Sequence, residues 1–241
     1  MQTFYRATML LLFFVLNSIS SAQTPTQYSI EYQASANGIA ATANRSLQVQ
    51  ADQTFRLSNT LEASLGGLLV ARIEQVSTLD SIDEEVKPIN YSYQQSGLSP
   101  ETQAINYNWD ALVAISAEDD ESWTVDLMPN TYDQLSHQLA LREAIIADTD
   151  KLEFAVIDED EIEIHRYQVV GKEIVTTPLG NFESTKVERI RDSSDSRNTF
   201  FWLADDWQFV LIRMEQSNSG LTVVLELQSG TVEGAVIEPL N

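Results

Sequence analysis

Apolar and polar residues alternate along most of the chain, which is the pattern of antiparallel strands with one buried face. Turn signals rich in glycine, proline, asparagine and aspartate separate the predicted strands. Because strands twist, so long a series curls into a barrel, a half-barrel or a sandwich, and we favour a barrel or half-barrel. In three segments the alternation is strict, with apolar positions at Ile89, Tyr91, Tyr93, Ile105, Tyr107, Trp109, Trp123, Val125 and Leu127.

One stretch breaks this alternation and predicts an amphipathic helix over residues 132–147. It lacks glycine and proline and is rich in helix formers. Leu135, Leu139 and Arg142 lie on one stripe of the helix, which we expect to pack on an open end or face of the sheet. Asn130 or Thr131 can cap its start.

The N-terminus has the three parts of a secretory signal peptide. Arg6 precedes an apolar run over residues 7–16, and small residues follow up to Ala22. The run is too short to span a bilayer. We therefore expect a signal peptide at residues 1–22, a single exported β domain at residues 23–241 and no membrane span after cleavage.

The charge and the lack of cysteine exclude several function classes. The net charge is −22, from 36 acidic and 14 basic residues, so nucleic acid and anionic lipid headgroups are repelled. Without cysteine there is no disulfide, iron–sulfur centre, thiol nucleophile or cysteine-bearing zinc site. We expect an acidic, soluble protein that is stabilised by its hydrophobic core.

The most specific motifs lie after Gly171. They are a T-P-L-G turn at residues 177–180, an aromatic strand F-W-L-A-D-D at residues 201–206 and a strand containing Ile212 and Arg213. With the helix segment, these motifs resemble the bacterial exported family called domain of unknown function 3108, over Tyr28 to Leu227. Leu211 stands where that family has a proline. The resemblance implies a mainly β protein exported to the periplasm of a Gram-negative bacterium, and it supplies no activity or catalytic residues.

No catalytic constellation is visible in the sequence. Ser136 and His137 are adjacent on the helix and point about 100° apart, so they cannot form a nucleophile–base pair. We interpret His137 and His165 as structural or solvent-exposed. The acidic runs at residues 118–121 and 158–161 lack the calcium-loop pattern and are typical of solvated hairpin tips. We expect no metal and no cofactor.

The aromatic strand faces are the remaining candidate site. They form either a filled core or the lining of an apolar cavity in the rolled sheet. From the second alternative we predict a non-enzymatic binding or carrier protein for an apolar or lipid-like ligand. The alternatives are an envelope interaction or assembly-support protein with a filled core and, third, a carboxylate-dependent hydrolase. The candidate ligand-binding residues are Tyr91, Tyr93, Tyr107, Trp109 and Trp123.

Overall fold

A computed structural model describes residues 26–240 except positions 38, 67, 83–84, 98 and 193–194. Within these residues the fold is mainly β, as predicted, with α1 at Ser136–Ile146 and a short 3₁₀-helix at Asp205–Trp207. The strands are β1 Tyr28–Ala36, β2 Ile39–Val49, β3 Phe55–Leu65, β4 Leu68–Ile82, β5 Glu85–Gly97, β6 Glu101–Asn108, β7 Val113–Glu118, β8 Glu121–Asp126, β9 Thr131–Tyr132, β10 Glu153–Asp158, β11 Glu161–Thr177, β12 Gly180–Ile190, β13 Asn198–Ala204, β14 Val210–Asn218, β15 Leu221–Val232 and β16 Ala235–Val236.

These strands form a single large sheet that does not close. Its order runs β8-β7-β6-β5-β4-β3-β2-β1-β15-β14-β13-β12-β11-β10-β9, with β16 paired to β15. The β9–β10 pair is parallel, and the other pairs are antiparallel. Most of them join consecutive strands, whereas β1 pairs with the distant β15. The prediction of a rolled antiparallel sheet is confirmed.

The sheet curls strongly enough to cover its own inner face. The end strand β9 lies against β5, the fourth strand from the opposite end of the sheet, and α1 contacts both β5 and β10. Leu135 and Leu139 enter the main hydrophobic core beside Leu57 and Tyr91. The apolar stripe of the helix therefore packs inside the curl, which agrees with the predicted amphipathic pattern.

The helix is shorter than predicted and has a different cap. Residues 131–132 form β9, and the helix begins at Ser136. The buried carboxylate of Asp133 accepts hydrogen bonds from the main-chain N–H groups of Leu135 and Ser136, both at 2.8 Å. Asp133 thus takes the capping role that the sequence suggested for Asn130 or Thr131, because those residues lie further back at β9.

The predicted T-P-L-G turn is a tight hairpin. Thr177 pairs with Gly180 across a loop of Pro178 and Leu179, joining β11 to β12. Gly180 has a φ of +144°, and an added Cβ there would meet the ring of Pro239. The acidic runs at residues 118–121 and 158–161 are hairpin tips, as predicted.

The predicted signal peptide at residues 1–22 lies outside the described residues. Among the residues that the structure does describe, no helix is long and apolar enough to cross a membrane.

Candidate functional site

The structure distributes the five predicted aromatic residues between a filled core and its margin. Tyr91 is buried, and its hydroxyl accepts a hydrogen bond from Gln75 Nε2 at 3.1 Å. Tyr93 is half-buried, and its hydroxyl donates to Gln95 Oε1 at 2.8 Å. Trp123 is half-buried on β8. Tyr91 and Trp123 share a face, because their cross-strand partners Ile105 and Ser116 are themselves paired.

Tyr107 and Trp109 form a stacked pair at one end of this face. Their ring centroids are 5.8 Å apart and their planes are 10° from parallel. The indole N–H of Trp109 donates to Pro88 O at 2.8 Å, whereas the Tyr107 hydroxyl is buried without a hydrogen-bond partner. Burial raises the pKa of that hydroxyl well above its ordinary value. A groove of about 270 Å³ borders Trp109, Leu112 and Leu127.

The two histidines, which seemed separate in the sequence, lie in contact inside the protein. Their ring centroids are 4.9 Å apart, edge to face. His137 Nδ1 lies 3.1 Å from the main-chain oxygen of Asp133, which can only accept, so Nδ1 carries the proton. Nε2 therefore accepts from the Tyr167 hydroxyl at 2.9 Å. His165 Nε2 donates to Glu163 Oε2 at 3.3 Å.

Burial dominates the electrostatics of this pair. Burial lowers the pKa of His137 to about 3 and that of His165 to about 2. Both rings are neutral at physiological pH. They are structural, which agrees with one of the two interpretations of the sequence, and neither is solvent-exposed.

Asp133 connects the helix start to the sheet. Besides its two main-chain donors, its carboxylate accepts from Ser77 Oγ at 2.6 Å and from Ser136 Oγ at 2.7 Å. Burial raises the pKa of Asp133, while these hydrogen bonds lower it to a smaller extent. Ser136 therefore bonds to Asp133 and not to His137, so the structure contains no nucleophile–base pair at this point.

A cavity of about 30 Å³ lies between α1 and the strands that the helix faces. This volume has room for about two water molecules. Its walls are mostly aromatic and aliphatic, yet two buried arginines from different elements, Arg45 and Arg142, also line it. We call it the Arg45–Arg142 cavity, and its other lining residues are Tyr28, Tyr32, Gln138, Leu141, Phe201, Leu203, Phe209, Val210 and Leu211.

Unusual backbone geometry shapes one side of this cavity. Gln208 and Phe209 have φ values of +55° and +53°, in the left-handed region that non-glycine residues rarely adopt. This conformation places Gln208 O 2.7 Å from Arg142 Nε, which donates to it. On the opposite side, Tyr32 donates its hydroxyl proton to Leu211 O at 2.9 Å.

This cavity was not predicted from the sequence, although two of its residues stand at positions that signal it. Arg142 falls on the apolar stripe of the helix, and Arg45 shares the buried face of β2 with Ala43 and Leu47. An arginine at an apolar position of the pattern, in each of two separate elements, indicates buried positive charge. None of the five predicted aromatic residues lines the cavity.

Metal binding finds little support in the described part of the chain. No group of three or more histidines and carboxylates there could hold a metal ion. The arrangement offers instead a small, partly open space with mostly apolar walls and two positive charges. That combination suits binding of a molecule that is partly apolar and partly anionic.

Comparison with known proteins identifies a family and similar folds, and it supplies no function. The family described as "Protein of unknown function (DUF3108)" matches residues 27–227, in agreement with the resemblance found in the sequence. No curated protein matches the chain.

Two solved structures are similar to this chain at low identity. A β-barrel-like protein of the DUF1849 domain of unknown function, from Brucella abortus, aligns with a TM-score of 0.56 and 8% identity, over 86% of this chain and 98% of its own. MucB, in its complex with MucA from Pseudomonas aeruginosa, aligns with a TM-score of 0.39 and 14% identity, over 88% of this chain and 54% of that chain. The first match supports the barrel-like fold, and the second carries no functional argument.

Proposed function

The chain belongs to the DUF3108 family of proteins of unknown function, and from this premise we propose that it is a non-enzymatic binding protein of the cell envelope. Its ligand is an apolar or lipid-like molecule held at the Arg45–Arg142 cavity. The signal sequence at residues 1–22 supports export to the periplasm.

The observation that carries this proposal is a gap in the interior beside α1. Protein cores are close-packed, and small dry voids reduce stability. The inner face around Tyr91 is filled by the helix and β10, whereas a space remains between α1 and β13–β14. A space bordered by aromatic rings and by a strained turn is typical of a binding site.

The space is smaller than a complete apolar chain. At about 30 Å³ it accommodates a head group, and a longer tail requires the half-buried side chains at its margin to move. Phe209, Leu211 and Gln138 are the half-buried lining residues, so they form the entrance in this proposal. The groove beside Trp109 is the alternative location, and it is the one that the predicted aromatic residues would serve.

A second function has its own supporting observation. An interaction or assembly-support protein needs an exposed surface and a filled core, and the face around Tyr91 is filled. One rim of the sheet, where three hairpin turns lie side by side, also exposes large apolar side chains. These residues are Ile39, Leu68, Leu69 and Leu221.

The test is binding of a neutral apolar probe, 1-decanol, measured by calorimetric titration of the folded protein. We expect saturable binding at one site. Leu211→Phe, which adds bulk at the cavity margin, should weaken that binding at least about fivefold, a loss of roughly 1 kcal/mol. Leu69→Phe is the matched control, because Leu69 is exposed on the β4 hairpin, and it should leave the affinity unchanged.

Two outcomes would count against this function. Absence of decanol binding would reject the carrier proposal in favour of the interaction protein. Binding that Leu211→Phe leaves unchanged would move the site away from the Arg45–Arg142 cavity, with the groove beside Trp109 as the next location to test.

A further inference from the structure

The two arginines of the cavity are buried far more deeply than arginines usually are. Arg45 is 8% exposed and Arg142 is 4% exposed. Arginine remains protonated in proteins, so each brings a full positive charge into the interior. They come from β2 and α1, and the fold brings them to the same small space.

The hydrogen bonds of the arginines go mainly to neutral oxygen atoms. Arg45 Nη1 donates to Gln138 Oε1 at 2.7 Å. Arg142 Nε donates to Gln208 O at 2.7 Å, and its Nη1 has only long contacts, 3.4 Å to Thr26 O and 3.3 Å to Glu143 Oε1. Arg45 Nε and Arg142 Nη2 are buried without any hydrogen-bond partner.

The nearby protein charges do not balance these cations. Glu143 provides the one carboxylate within ion-pair distance of either arginine in the described residues, at 3.3 Å, and burial raises its pKa. The Arg142 guanidinium also lies 5.3 Å from the ring centre of Tyr28, which offers a weaker attraction. Burial lowers the pKa of Arg142 and the charge of Arg45 adds to that effect, whereas Tyr28, Glu143 and Glu233 oppose it to a smaller extent.

Buried charges without partners are unfavourable by several kcal/mol, so natural proteins pair them. This chain has 36 acidic residues, yet two guanidinium nitrogens of the arginines that line the cavity have no hydrogen-bond partner. An anionic group in the cavity would accept hydrogen bonds from the two guanidinium groups and would neutralise part of the charge. A carboxylate has two oxygens in one plane and matches guanidinium donors well.

We propose that the cavity is a head-group site for an apolar carboxylic acid, whose carboxylate accepts hydrogen bonds from Arg45 and Arg142. This inference rests on the proposed function and adds the chemistry of the ligand to it. The 30 Å³ of space agrees with a carboxylate, and the aromatic walls agree with an attached apolar chain. The two arginines would attract the carboxylate once the acid has reached the cavity. The acidic outer surface would repel anions that approach from solution.

The test compares three probes on the intact protein by calorimetric titration. Decanoate has the apolar chain and the carboxylate, 1-decanol has only the chain, and acetate has only the carboxylate. We expect decanoate to bind at least about tenfold more tightly than decanol, since hydrogen bonds between charged groups are stronger than those to a neutral hydroxyl. Acetate should bind much more weakly than decanoate.

Variants then locate the effect. Arg45→Met should lower the ratio of decanoate affinity to decanol affinity from at least about ten to about one. Arg45→Lys should restore part of the loss, because the charge returns without the planar donor set. Arg72→Met is the matched control, since Arg72 pairs with Glu62 and Glu74 on an exposed hairpin, and it should change neither affinity.

A second measurement does not depend on the variants folding. The carboxyl carbon of decanoate labelled with ¹³C can be followed by NMR while the pH is lowered. Bound between two arginines, the carboxylate should titrate at least one pH unit below its value in free solution. Titration at the free value would overturn the head-group site.

The remaining outcomes separate the two proposals. If decanoate and decanol bind equally, the head-group site is overturned and the apolar carrier stands. If acetate binds as tightly as decanoate, the site is one for small anions, and an apolar acid is rejected as its ligand. If none of the three probes binds, both the head-group site and the proposed function are rejected.

Discussion

Acid should destabilise this protein through its two buried histidines. His137 and His165 are 4% and 1% exposed, and both rings are held neutral in contact with each other. Burial lowers their pKa values to about 3 and about 2, against 6.5 in an unfolded chain. Below pH 6.5 the unfolded chain therefore binds protons that the folded chain does not, and the free energy of unfolding falls as the pH falls.

The size of this effect follows from the same pKa values. At pH 5 both folded rings are still neutral, because that pH lies two units above the higher of their pKa values. Each unfolded histidine is then almost fully protonated, which lowers the free energy of unfolding by about 2 kcal/mol relative to pH 8. The two rings together give about 4 kcal/mol. Below about pH 3 this contribution levels off as the folded rings also become protonated.

Urea unfolding of the parent and of variants at pH 8, 7, 6 and 5 measures this contribution. His137→Gln and His165→Gln remove the titrating rings one at a time, and each should make the parent's fall between pH 8 and pH 5 smaller by about 2 kcal/mol. Glu163→Gln is the control, since it removes the 3.3 Å partner of His165 and leaves both rings in place. Comparing pH slopes, and not absolute stabilities, separates titration from lost packing.

A titration role for the histidines would be refuted if the free energy of unfolding fell between pH 8 and pH 5 by the same amount in both histidine variants as in the parent. It would also be refuted if NMR titration of the folded protein showed either ring taking up a proton between pH 6 and pH 7, because a ring that titrates there is not desolvated.

Three further changes test other parts of the fold and the export signal. Asp133→Ala leaves buried main-chain donors at the start of α1 without an acceptor. Urea unfolding should show that the free energy of unfolding falls by about 3 kcal/mol. A fall of less than about 1 kcal/mol would contradict the capping role. Gly97→Ala would place a Cβ against Val70 O, whereas Gly220 has a similar φ and open space around it. Thermal melts should therefore show a clearly larger fall in melting temperature for Gly97→Ala than for Gly220→Ala. Equal falls would contradict the close approach at Gly97. Edman sequencing of the exported protein should begin at Gln23, and an intact Met1 in washed membranes would contradict cleavage.

The sequence was sufficient for the sheet because strand alternation is a local signal. The alternation of each predicted strand is visible in neighbouring residues. Hairpins such as β11–β12 follow from the turn residues between the two strands. Its limits appear where local preference is weak. Strand β2 begins at Ile39, although its alanine-rich first half has little apolar contrast. That half is ordered by pairing with β1 and β3.

The sites depend on contacts between distant parts of the chain, and so the sequence predicted them less well. Asp133 meets Ser77 only because β4 curls over the helix start, and His137 meets His165 across 28 positions of sequence. The five aromatic residues were chosen by strand face, a local property that does not show whether another element fills the space. The arginines were visible at apolar positions, but the period alone does not show that Arg45 and Arg142 face the same cavity.

The central claim is that this chain holds the acidic head of an apolar molecule at the Arg45–Arg142 cavity. A crystal structure of the protein grown with saturating decanoate tests it most directly. We expect density in the cavity with the carboxylate oxygens within hydrogen-bond distance of the guanidinium groups of Arg45 and Arg142, and the tail leaving past Phe209. Density for decanoate elsewhere, or a cavity without it under conditions where calorimetry shows binding, would contradict the claim.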